Sequence, residues 1–566
     1  MAIHVEQQIF DCIEKQGSFI LDAGAGSGKT WTLVQTLNYL IETKSKELKN
    51  KNQQIVCITY TNVAKDEIIE RTEHNDLVKV RTIHDFLWEC IKQFQKELRI
   101  KLIELVEEKL VKINVERDAK TRTDTKIYKE LSDKKNKYEE AIGRLRTEEL
   151  KISYENFPRY SEGKLSHDEL IIIAEKIFSS YPKIRKIITD LYPIILVDEY
   201  QDTQKETIQI LLNYLLECED FIVGFFGDKL QQIYDKGIGE IPSEFGLVLI
   251  QKTENYRSSK EVIGLLNKLR SDIEQYQPPQ NRRTGRIAFY YFPNPNGFNA
   301  NDFIQSNLKD KWPIESIENV KVLYLTHRFI AKEKQYEDLL QHYIDVNKRD
   351  CLIKNEDNRG WCPFADFLFD LESLVDLYIN KRIQQLLRNV FIKIDSFDSK
   401  KQLKDLMEQM VQIRETAKIG DIINFTLMNQ LLPESDGMKN YDFEDKEKQE
   451  FYDQLMKLEY AQFLRLYQVQ QENTPFSTKH NTKGDEFDNV LVIIDDSAWR
   501  QNYNFNDYFS NNMEKEKRYQ RTNNLFYVVC SRAKENLAVV CTSDLASGAK
   551  TQIQEWFGEG NYIEGN

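Results

Sequence analysis

The chain has 566 residues, of which 41% are hydrophobic and 30% are charged. At about 150 residues per domain, this length predicts several domains with substantial cores. Since the chain has neither a signal-peptide pattern nor an apolar run of the roughly 18 residues that span a bilayer, a membrane protein is excluded and the cytoplasm is favoured.

The net charge of −13 argues against a nucleic-acid partner, although a local basic groove can coexist with an acidic exterior. The eight cysteines are scattered and include no Cys-x-x-Cys pair. Cys351 and Cys362 are too far apart in sequence for a zinc knuckle. We therefore expect reduced thiols and no metal cluster.

Two glutamines near the start, Gln7 and Gln8, precede a glycine-rich segment. A glutamine at this place can donate to and accept from the Hoogsteen edge of adenine. The alternative is a solvated residue on a surface helix, and the residues alone leave both interpretations open.

A phosphate-binding loop is the strongest feature of the sequence. Between an apolar run at residues 19–21 and a helical pattern at 31–37 lies a turn comprising Ala23, Gly24, Ala25, Gly26, Ser27, Gly28, Lys29 and Thr30. It is a variant form, because its first residue is Ala23 where the usual pattern has glycine. In such a turn the backbone N–H groups and the helix N-terminus bind phosphate oxygens. Lys29 would reach the β- and γ-phosphates of ATP, and the Thr30 hydroxyl would bind Mg²⁺.

Strand patterns then alternate with helical ones. The run at residues 54–60 leads into Thr61 and Asn62, and a second run, at residues 77–81, leads into Thr82 and His84. Such alternation predicts an α/β core with a parallel sheet.

Residues 87–182 are helical in pattern and highly charged. The basic residues concentrated at 119–137 are either a solvated helix face or a surface that follows a phosphate backbone. The sequence leaves both interpretations open.

An acidic pair follows the next buried strand pattern, at residues 194–197. The carboxyl end of such a strand is where a P-loop protein holds Mg²⁺ and activates water. We assign Asp198 to the metal and Glu199 to the attacking water. A further strand pattern at residues 221–226 follows.

The second half repeats the alternation, with strand patterns at residues 286–292, 321–326, 489–494 and 537–541. The sequence thus predicts two α/β domains, each with a mainly helical insertion. The predicted bounds are 1–86 with 183–260 for the first domain, 87–182 for its insertion, 261–330 with 471–566 for the second domain, and 331–470 for its insertion.

The ordered set of motifs resembles the UvrD/Rep-type superfamily-one DNA helicases over nearly the whole chain. The segments that carry the resemblance are 7–8, 23–30, 59–62, 82–84, 197–202, 227–231, 255–258, 478–487 and 525–533. The resemblance implies two RecA-like parallel-sheet motor domains that together hold ATP and Mg²⁺.

The same resemblance implies roles for single residues. Gln8, or Gln7, would read adenine, Gln231 would sense the γ-phosphate, and Glu486 would contact the ribose. Arg257 and Arg532 would be the catalytic arginines. The residues implied to face DNA are Thr61, Asn62, Thr82, His84, Tyr234, Thr478 and His480.

One departure from the family concerns the grip on DNA. Tyr234 is followed by Asp235 and Lys236, where relatives have an aromatic residue that stacks on a base. Since a base stack is worth about 1–3 kcal/mol, this departure argues against a tight grip on a single strand.

Three functions fit these observations. The resemblance implies an ATP-driven translocase or helicase acting 3′-to-5′ on single-stranded or tailed DNA. Compact members of this type also partner an OLD-like nuclease in Gabija-type anti-phage systems, which would make the chain a DNA-sensing ATPase. The third alternative is a P-loop NTPase without a nucleic-acid partner.

Overall fold

The computed structural model forms two compact units, Met1–Arg283 and Thr284–Asn566. Each unit contains a six-stranded sheet whose neighbouring strands are parallel, with helices packed against it. The predicted α/β fold class is confirmed. The residues that the structure describes are 4–59, 62–120, 126–155, 158–232, 237–293, 298–325, 331, 334–346, 348–352, 362–470, 476–477, 486–496 and 503–565.

The strands of the first unit are β1 (Phe19–Ala23), β2 (Ile55–Thr59), β3 (Val78–Thr82), β4 (Ser153–Tyr154), β5 (Lys164–Leu165), β6 (Ile194–Asp198), β7 (Ile222–Gly227) and β8 (Val248–Lys252). The large sheet has the order β3-β2-β6-β7-β1-β8, and β4 pairs with β5. In β2, Ile55 and Cys57 join one core, whereas Val56 and Ile58 join the core on the opposite face. Burial on both faces explains the continuous apolar runs in the sequence.

The edge strand β8 was not predicted from the sequence. Val248 and Leu249 are exposed on it, so it lacks the fully apolar pattern of the central strands.

The helices of the first unit cover both faces of the sheet and extend beyond it. They are Val5–Glu14, Lys29–Asn50, Asn62–Arg71, Ile83–Ile91, Gln95–Asp118, Lys126–Thr147, His167–Ser180, Pro182–Leu191, Lys205–Gln209 and Lys260–Lys268, with a π-helix at Ile210–Leu215. The helices Gln95–Asp118 and Lys126–Thr147 lie side by side, and Leu98 and Leu102 of the first are fully buried.

The strands of the second unit are β9 (Arg286–Tyr291), β10 (Val320–Tyr324), β11 (Phe476–Ser477), β12 (Phe487–Ile494), β13 (Ala533–Cys541) and β14 (Tyr562–Glu564). Their order in the sheet is β11-β10-β12-β13-β9-β14. The short strands β11 and β14 lie at the edges and were not predicted. Two and three residues are too few to give a periodic pattern.

The helices of the second unit are Ala300–Phe303, Glu337–Asp345, Pro363–Ile379, Ile383–Asn389, Phe397–Ile413, Ile419–Met428, Asp436–Lys439, Lys446–Leu455, Tyr460–Gln470, Phe505–Phe509, Glu516–Cys530 and Ser547–Phe557, with a π-helix at Ile304–Leu308. Between the helices Pro363–Ile379 and Ile383–Asn389, Lys381 has a left-handed φ of +56° and ends the first of them. In the described part of the chain, no helix combines the length and apolarity needed to cross a membrane.

One expectation about the cysteines is wrong. Cys351 and Cys362 form a disulfide, with a Cα–Cα distance of 5.8 Å. Sequence spacing argues against a shared zinc ion but says nothing about whether a loop closes on itself, so it could not reveal the pair. The other cysteines are free thiols, and burial raises the pKa of Cys541 to about 12.

Candidate nucleotide site

The phosphate-binding loop follows the carboxyl end of β1 and enters the helix Lys29–Asn50. Gly26 and Gly28 have φ angles of +75° and +77°, a left-handed conformation that side chains rarely adopt. The Ser27 N–H donates to the carbonyl of Gly24 at 3.2 Å and closes the turn. The glycine spacing of the sequence is therefore a requirement of the backbone.

Residues distant in sequence hold the loop in shape. Asn255 Nδ2 and Gln275 Nε2 each donate to the carbonyl oxygen of Ala25 at 3.0 Å. The Tyr256 N–H donates to the carbonyl of Gly26 at 2.9 Å. A Cβ on Gly26 would lie 2.6 Å from Asn255 Oδ1, so this contact admits only glycine.

The loop suits a nucleotide phosphate with Mg²⁺. Ser27 Oγ is buried and has no hydrogen-bond partner among the described residues, as expected of a group awaiting a ligand. Lys29 and Thr30 add an ammonium and a hydroxyl in the first helical turn. Together with Asp198 at the end of β6, Thr30 offers the oxygen ligands that Mg²⁺ prefers.

Lys29 forms an ion pair with Glu199, whose Oε1 lies 2.7 Å from Lys29 Nζ. Burial opposes the charged form of Lys29, yet the pKa of its ammonium is raised. The cause is the negative charge of Glu199 and, beyond it, of Asp198. Lys29, predicted to bind phosphate, and Glu199, predicted to act on the attacking water, are thus in direct contact.

The backbone of Glu199 is left-handed, with φ of +51°, at the turn after β6. Its Oε2 accepts a 2.5 Å hydrogen bond from Gln201 Nε2. A non-glycine residue in this conformation is strained, and the strain is held by the surrounding contacts. The turn and Gln201 together aim the Glu199 carboxylate.

Gln231 lies in a short 3₁₀ turn after β7, where it is largely buried. Its Nε2 donates to Asp228 Oδ2 at 3.0 Å. Asp228 Oδ2 also accepts a hydrogen bond from Arg270 Nη1 at 3.4 Å, and the Asp228 N–H donates to Gln201 Oε1 at 3.3 Å. Gln231 and Glu199 are thereby joined through Asp228 and Gln201.

The predicted adenine-reading residues lie on the helix Val5–Glu14. Gln7 Nε2 donates to Asp11 Oδ1 at 2.7 Å within the helix, and Gln8 is exposed. On the same helix, Glu6 accepts from the buried ammonium of Lys252 at 2.7 Å. Burial would raise the pKa of Glu6, but Lys252 holds it below its usual value.

Aromatic rings stand beside the loop. Trp31 and Tyr256 are 49% and 44% exposed, and Lys252 Nζ lies 5.3 Å from the centre of the Trp31 ring. Arg257, which follows Tyr256, packs its Cβ 2.7 Å from where a Cβ on Gly26 would lie. These rings offer flat apolar surfaces near the phosphate-binding turn.

Two predicted residues belong to the second unit. Arg532 is almost fully buried, and its guanidinium donates to the Val528 carbonyl and to Ser531 Oγ, each at 3.0 Å. Glu486 is exposed at the start of β12 and lines a cavity of 530 Å³. The Arg532 carbonyl accepts from the Phe487 N–H at 2.9 Å, which brings the two predicted residues close together within this unit.

The structure describes only part of the predicted DNA-facing set. Thr82 caps the helix Ile83–Ile91 by accepting from the Asp85 N–H at 3.3 Å, and His84 is half-buried in its first turn. Asn62 begins the helix Asn62–Arg71, but its side chain lies outside the described residues. The remaining positions lie wholly outside them: Thr61, Tyr234, Thr478 and His480.

Several residues of the site were missed from the sequence. Gln275 and Arg270 have no local pattern that marks them, because they reach the loop only through folding. Asp22 carried a signal, since it is a carboxylate at the end of an apolar run. It is buried, and its Oδ1 has no hydrogen-bond partner within the described ranges.

Comparison with known proteins agrees with this geometry. Residues 5–236 match, and carry, the UvrD/REP helicase N-terminal domain. The predicted resemblance to UvrD/Rep-type helicases is confirmed.

Individual relatives extend the likeness. The chain is 28% identical to the Gabija protein GajB of Bacillus cereus (strain HuB5-5), over 97% of this chain and 96% of that protein. It is also 23% identical to the ATP-dependent DNA helicase PcrA of Bacillus subtilis (strain 168), over 57% of this chain and 47% of PcrA. The PcrA of Staphylococcus aureus (strain Mu50) is similar at 23% over 55% of this chain. Residues 5–236 thus carry a helicase-type domain, and the similarity to these relatives extends beyond it.

Proposed function

We propose that the chain is an ATP-dependent DNA translocase or helicase that uses Mg²⁺ and moves 3′-to-5′ on single-stranded or tailed DNA. The observation that carries this proposal is the contact between Lys29 of the P-loop and Glu199 at the end of β6, within a UvrD/REP helicase domain. Hydrolysis needs a cation on the phosphate and a carboxylate on the water, and both are present here.

The proposed chemistry begins with a change of partner. The phosphates of ATP would compete with Glu199 for Lys29, and the freed carboxylate would orient the attacking water. Thr30 and Asp198 would hold Mg²⁺, which adds positive charge beside the phosphates. Gln231 would contact the γ-phosphate, and Gln7 or Gln8 the adenine.

We propose two RecA-like motor domains with the bounds predicted from the sequence. Arg257 and Arg532 would act as the catalytic arginines, and Glu486 would contact the ribose. A catalytic arginine can be worth roughly 10³–10⁵ in rate. The seven residues named above as facing DNA would hold the strand.

A second candidate function follows from the similarity to the Gabija protein GajB over 97% of this chain. The chain would then act in the cytoplasm as a DNA-sensing ATPase that gates an OLD-like nuclease partner in anti-phage defence, without processive unwinding. The match to PcrA covers only 47% of that protein, so PcrA is a less complete guide to the function of this chain than GajB is.

An ATPase assay with single-stranded DNA, paired with displacement of a labelled strand from a tailed duplex, tests both candidates. Stimulation with displacement on a 3′ tail supports the helicase. Stimulation without displacement supports the sensor, and turnover indifferent to DNA would contradict both.

A further inference from the structure

Arg270 lies at the centre of a buried polar network behind the phosphate-binding loop. Its side chain is 0% exposed. Its Nε and Nη2 donate to Asp272 Oδ1 and Oδ2 at 2.9 and 3.2 Å, a two-pronged grip on one carboxylate. Its third nitrogen, Nη1, lies 3.4 Å from Asp228 Oδ2.

Asp228 connects Arg270 to both sides of the candidate site. The same Oδ2 accepts from Gln231 Nε2 at 3.0 Å. The Asp228 N–H donates to Gln201 Oε1, and Gln201 Nε2 in turn donates to Glu199. Asp228 therefore connects to both side chains that we propose to act on the phosphate and the water. Its carboxylate binds Gln231 directly, and its backbone N–H reaches Glu199 through Gln201.

Arg270 also touches the loop itself. A Cβ added to Gly24 would lie 3.1 Å from Arg270 Nη1 and 2.4 Å from Gln275 Nε2. The guanidinium thus fills the space between the first glycine of the loop and Asp228, and it cannot shift without disturbing one of them.

The electrostatics of the cluster depend on this arginine. Asp22, Asp228 and Asp272 bring three carboxylates together, and the cations that act on them are Arg270, Lys229 and, at Asp228, Lys29. Lys229 is partly exposed and shared with Glu240, and Lys29 is paired with Glu199. Arg270 is the fully buried cation that contacts both Asp228 and Asp272. Without it, Asp228 would be left beside Asp22 with too little compensation, and its hydrogen bond to Gln231 would change.

We propose that Arg270 is a positioning residue that sets Gln231 and Glu199 through Asp228 and so links the state of the loop to hydrolysis. This inference rests on the proposed ATPase function. It assigns a role to a residue that has no recognisable motif in the sequence.

Steady-state ATPase kinetics test the proposal first. Arg270→Met should lower kcat by about 10- to 100-fold, since misplaced groups cost rate, and should raise KM for ATP by up to about tenfold, since the contact of Gln231 with the γ-phosphate is weakened. Asp272→Asn keeps Arg270 but weakens its two hydrogen bonds to residue 272. This variant should lower kcat by about threefold with KM unchanged. Unchanged kcat per folded molecule in both variants would overturn the proposal.

Arg185→Met is the matched control. Arg185 is also largely buried and donates to the carbonyls of Phe178 and Ser179, but it belongs to a different part of the unit. It should lower the melting temperature without changing kcat. An equal fall of kcat in this control would show that loss of any buried arginine slows turnover, and would overturn the specific role.

Nucleotide binding separates this inference from the proposed function. The wild-type chain should bind a non-hydrolysable ATP analogue more tightly than ADP, because Gln231 contacts the γ-phosphate only in the former. In Arg270→Met this preference should fall by about tenfold, as when a positioned hydrogen bond is lost. A preference that persists in the variant would overturn only the inference, whereas a wild-type chain that binds neither nucleotide would overturn both.

Discussion

At the scale of single residues, the ion pair between Lys29 and Glu199 has the largest consequence for chemistry. The two groups neutralise each other across 2.7 Å in a site that is largely shielded from water. Arrival of phosphate oxygens offers Lys29 a stronger partner, since several negative charges replace one. Nucleotide binding would therefore release the carboxylate at the moment it is needed.

Replacing Glu199 should separate binding from turnover. Glu199→Gln removes the base and should lower kcat by about 10²–10⁴-fold, while ATP affinity is retained or improved because Lys29 loses its competitor. Lys29→Ala should instead abolish ATP binding. Titration with a fluorescent ATP analogue and a phosphate-release assay measure the two effects, with the exposed Glu206→Gln as the control. Normal hydrolysis by Glu199→Gln would refute the assignment to water.

Asp22 should make stability depend on pH. Burial, with the charge of Asp228 next, raises its pKa from 3.8 to about 7, against the opposing effect of Arg270. The folded state thus keeps a proton that the unfolded state has already lost, so stability falls as pH rises from about 4 to about 7. Asp22→Asn removes this dependence.

Urea denaturation at two pH values measures the effect. Relative to Asp22→Asn, the wild-type chain should lose about 2 kcal/mol of unfolding free energy between pH 5.5 and pH 8. The exposed Asp190→Asn serves as control. Parallel pH profiles for wild type and Asp22→Asn would contradict the raised pKa.

At the scale of elements, the helices of the second unit are joined by a buried ion pair. Arg414 Nη1 lies 2.8 Å from Glu372 Oε2, and Tyr460 donates to the other carboxylate oxygen at 2.8 Å. Burial raises the pKa of Glu372, which Arg414 and Tyr460 only partly oppose. The helices Pro363–Ile379 and Tyr460–Gln470 and the C-terminal end of Phe397–Ile413 therefore meet at one compensated charge.

Arg414→Met should destabilise the second unit by about 3–5 kcal/mol, because it strands a buried carboxylate. Lys404→Met breaks an exposed pair with Glu408 and should cost less than about 1 kcal/mol. Calorimetric unfolding of both variants measures the difference. Equal stability of the two variants would show that the buried pair contributes no more than a surface one.

At the scale of the whole molecule, the net charge of −13 restricts where DNA can bind. The basic run at residues 119–137 was one candidate surface. Within its described part, Lys135 pairs with Glu139 at 2.8 Å, and Glu139 and Glu140 are exposed on the same helix. This mixture of charges favours a solvated helix face.

Reversing two charges there should leave DNA binding nearly unchanged. For Lys134→Glu/Lys135→Glu we expect a dissociation constant for single-stranded DNA within about twofold of wild type, with the same salt dependence. Lys400→Glu/Lys401→Glu, exposed in the second unit, gives the same charge change as a control. A salt slope smaller by about 1.4 in the first variant alone would show that these lysines contact phosphates.

Local sequence patterns were enough to predict the α/β class, the central strands and the phosphate-binding loop. These are local signals: buried parallel strands are continuous apolar runs, and a P-loop needs glycine where φ is positive. The edge strands β8, β11 and β14 were not predicted, because β8 is half-exposed and β11 and β14 are too short to show a period.

The residues that support the phosphate-binding loop could be identified only from the tertiary structure. Gln275 and Arg270 contact Ala25 and the space above Gly24 from some 250 positions away, and nothing near them in the chain marks that contact. The Cys351–Cys362 disulfide joins residues only 11 positions apart, but their spacing does not show whether the segment between them closes into a loop. The sequence identifies the chemical group that each side chain carries. The partner of that group depends on which strand ends and helix termini the fold brings together.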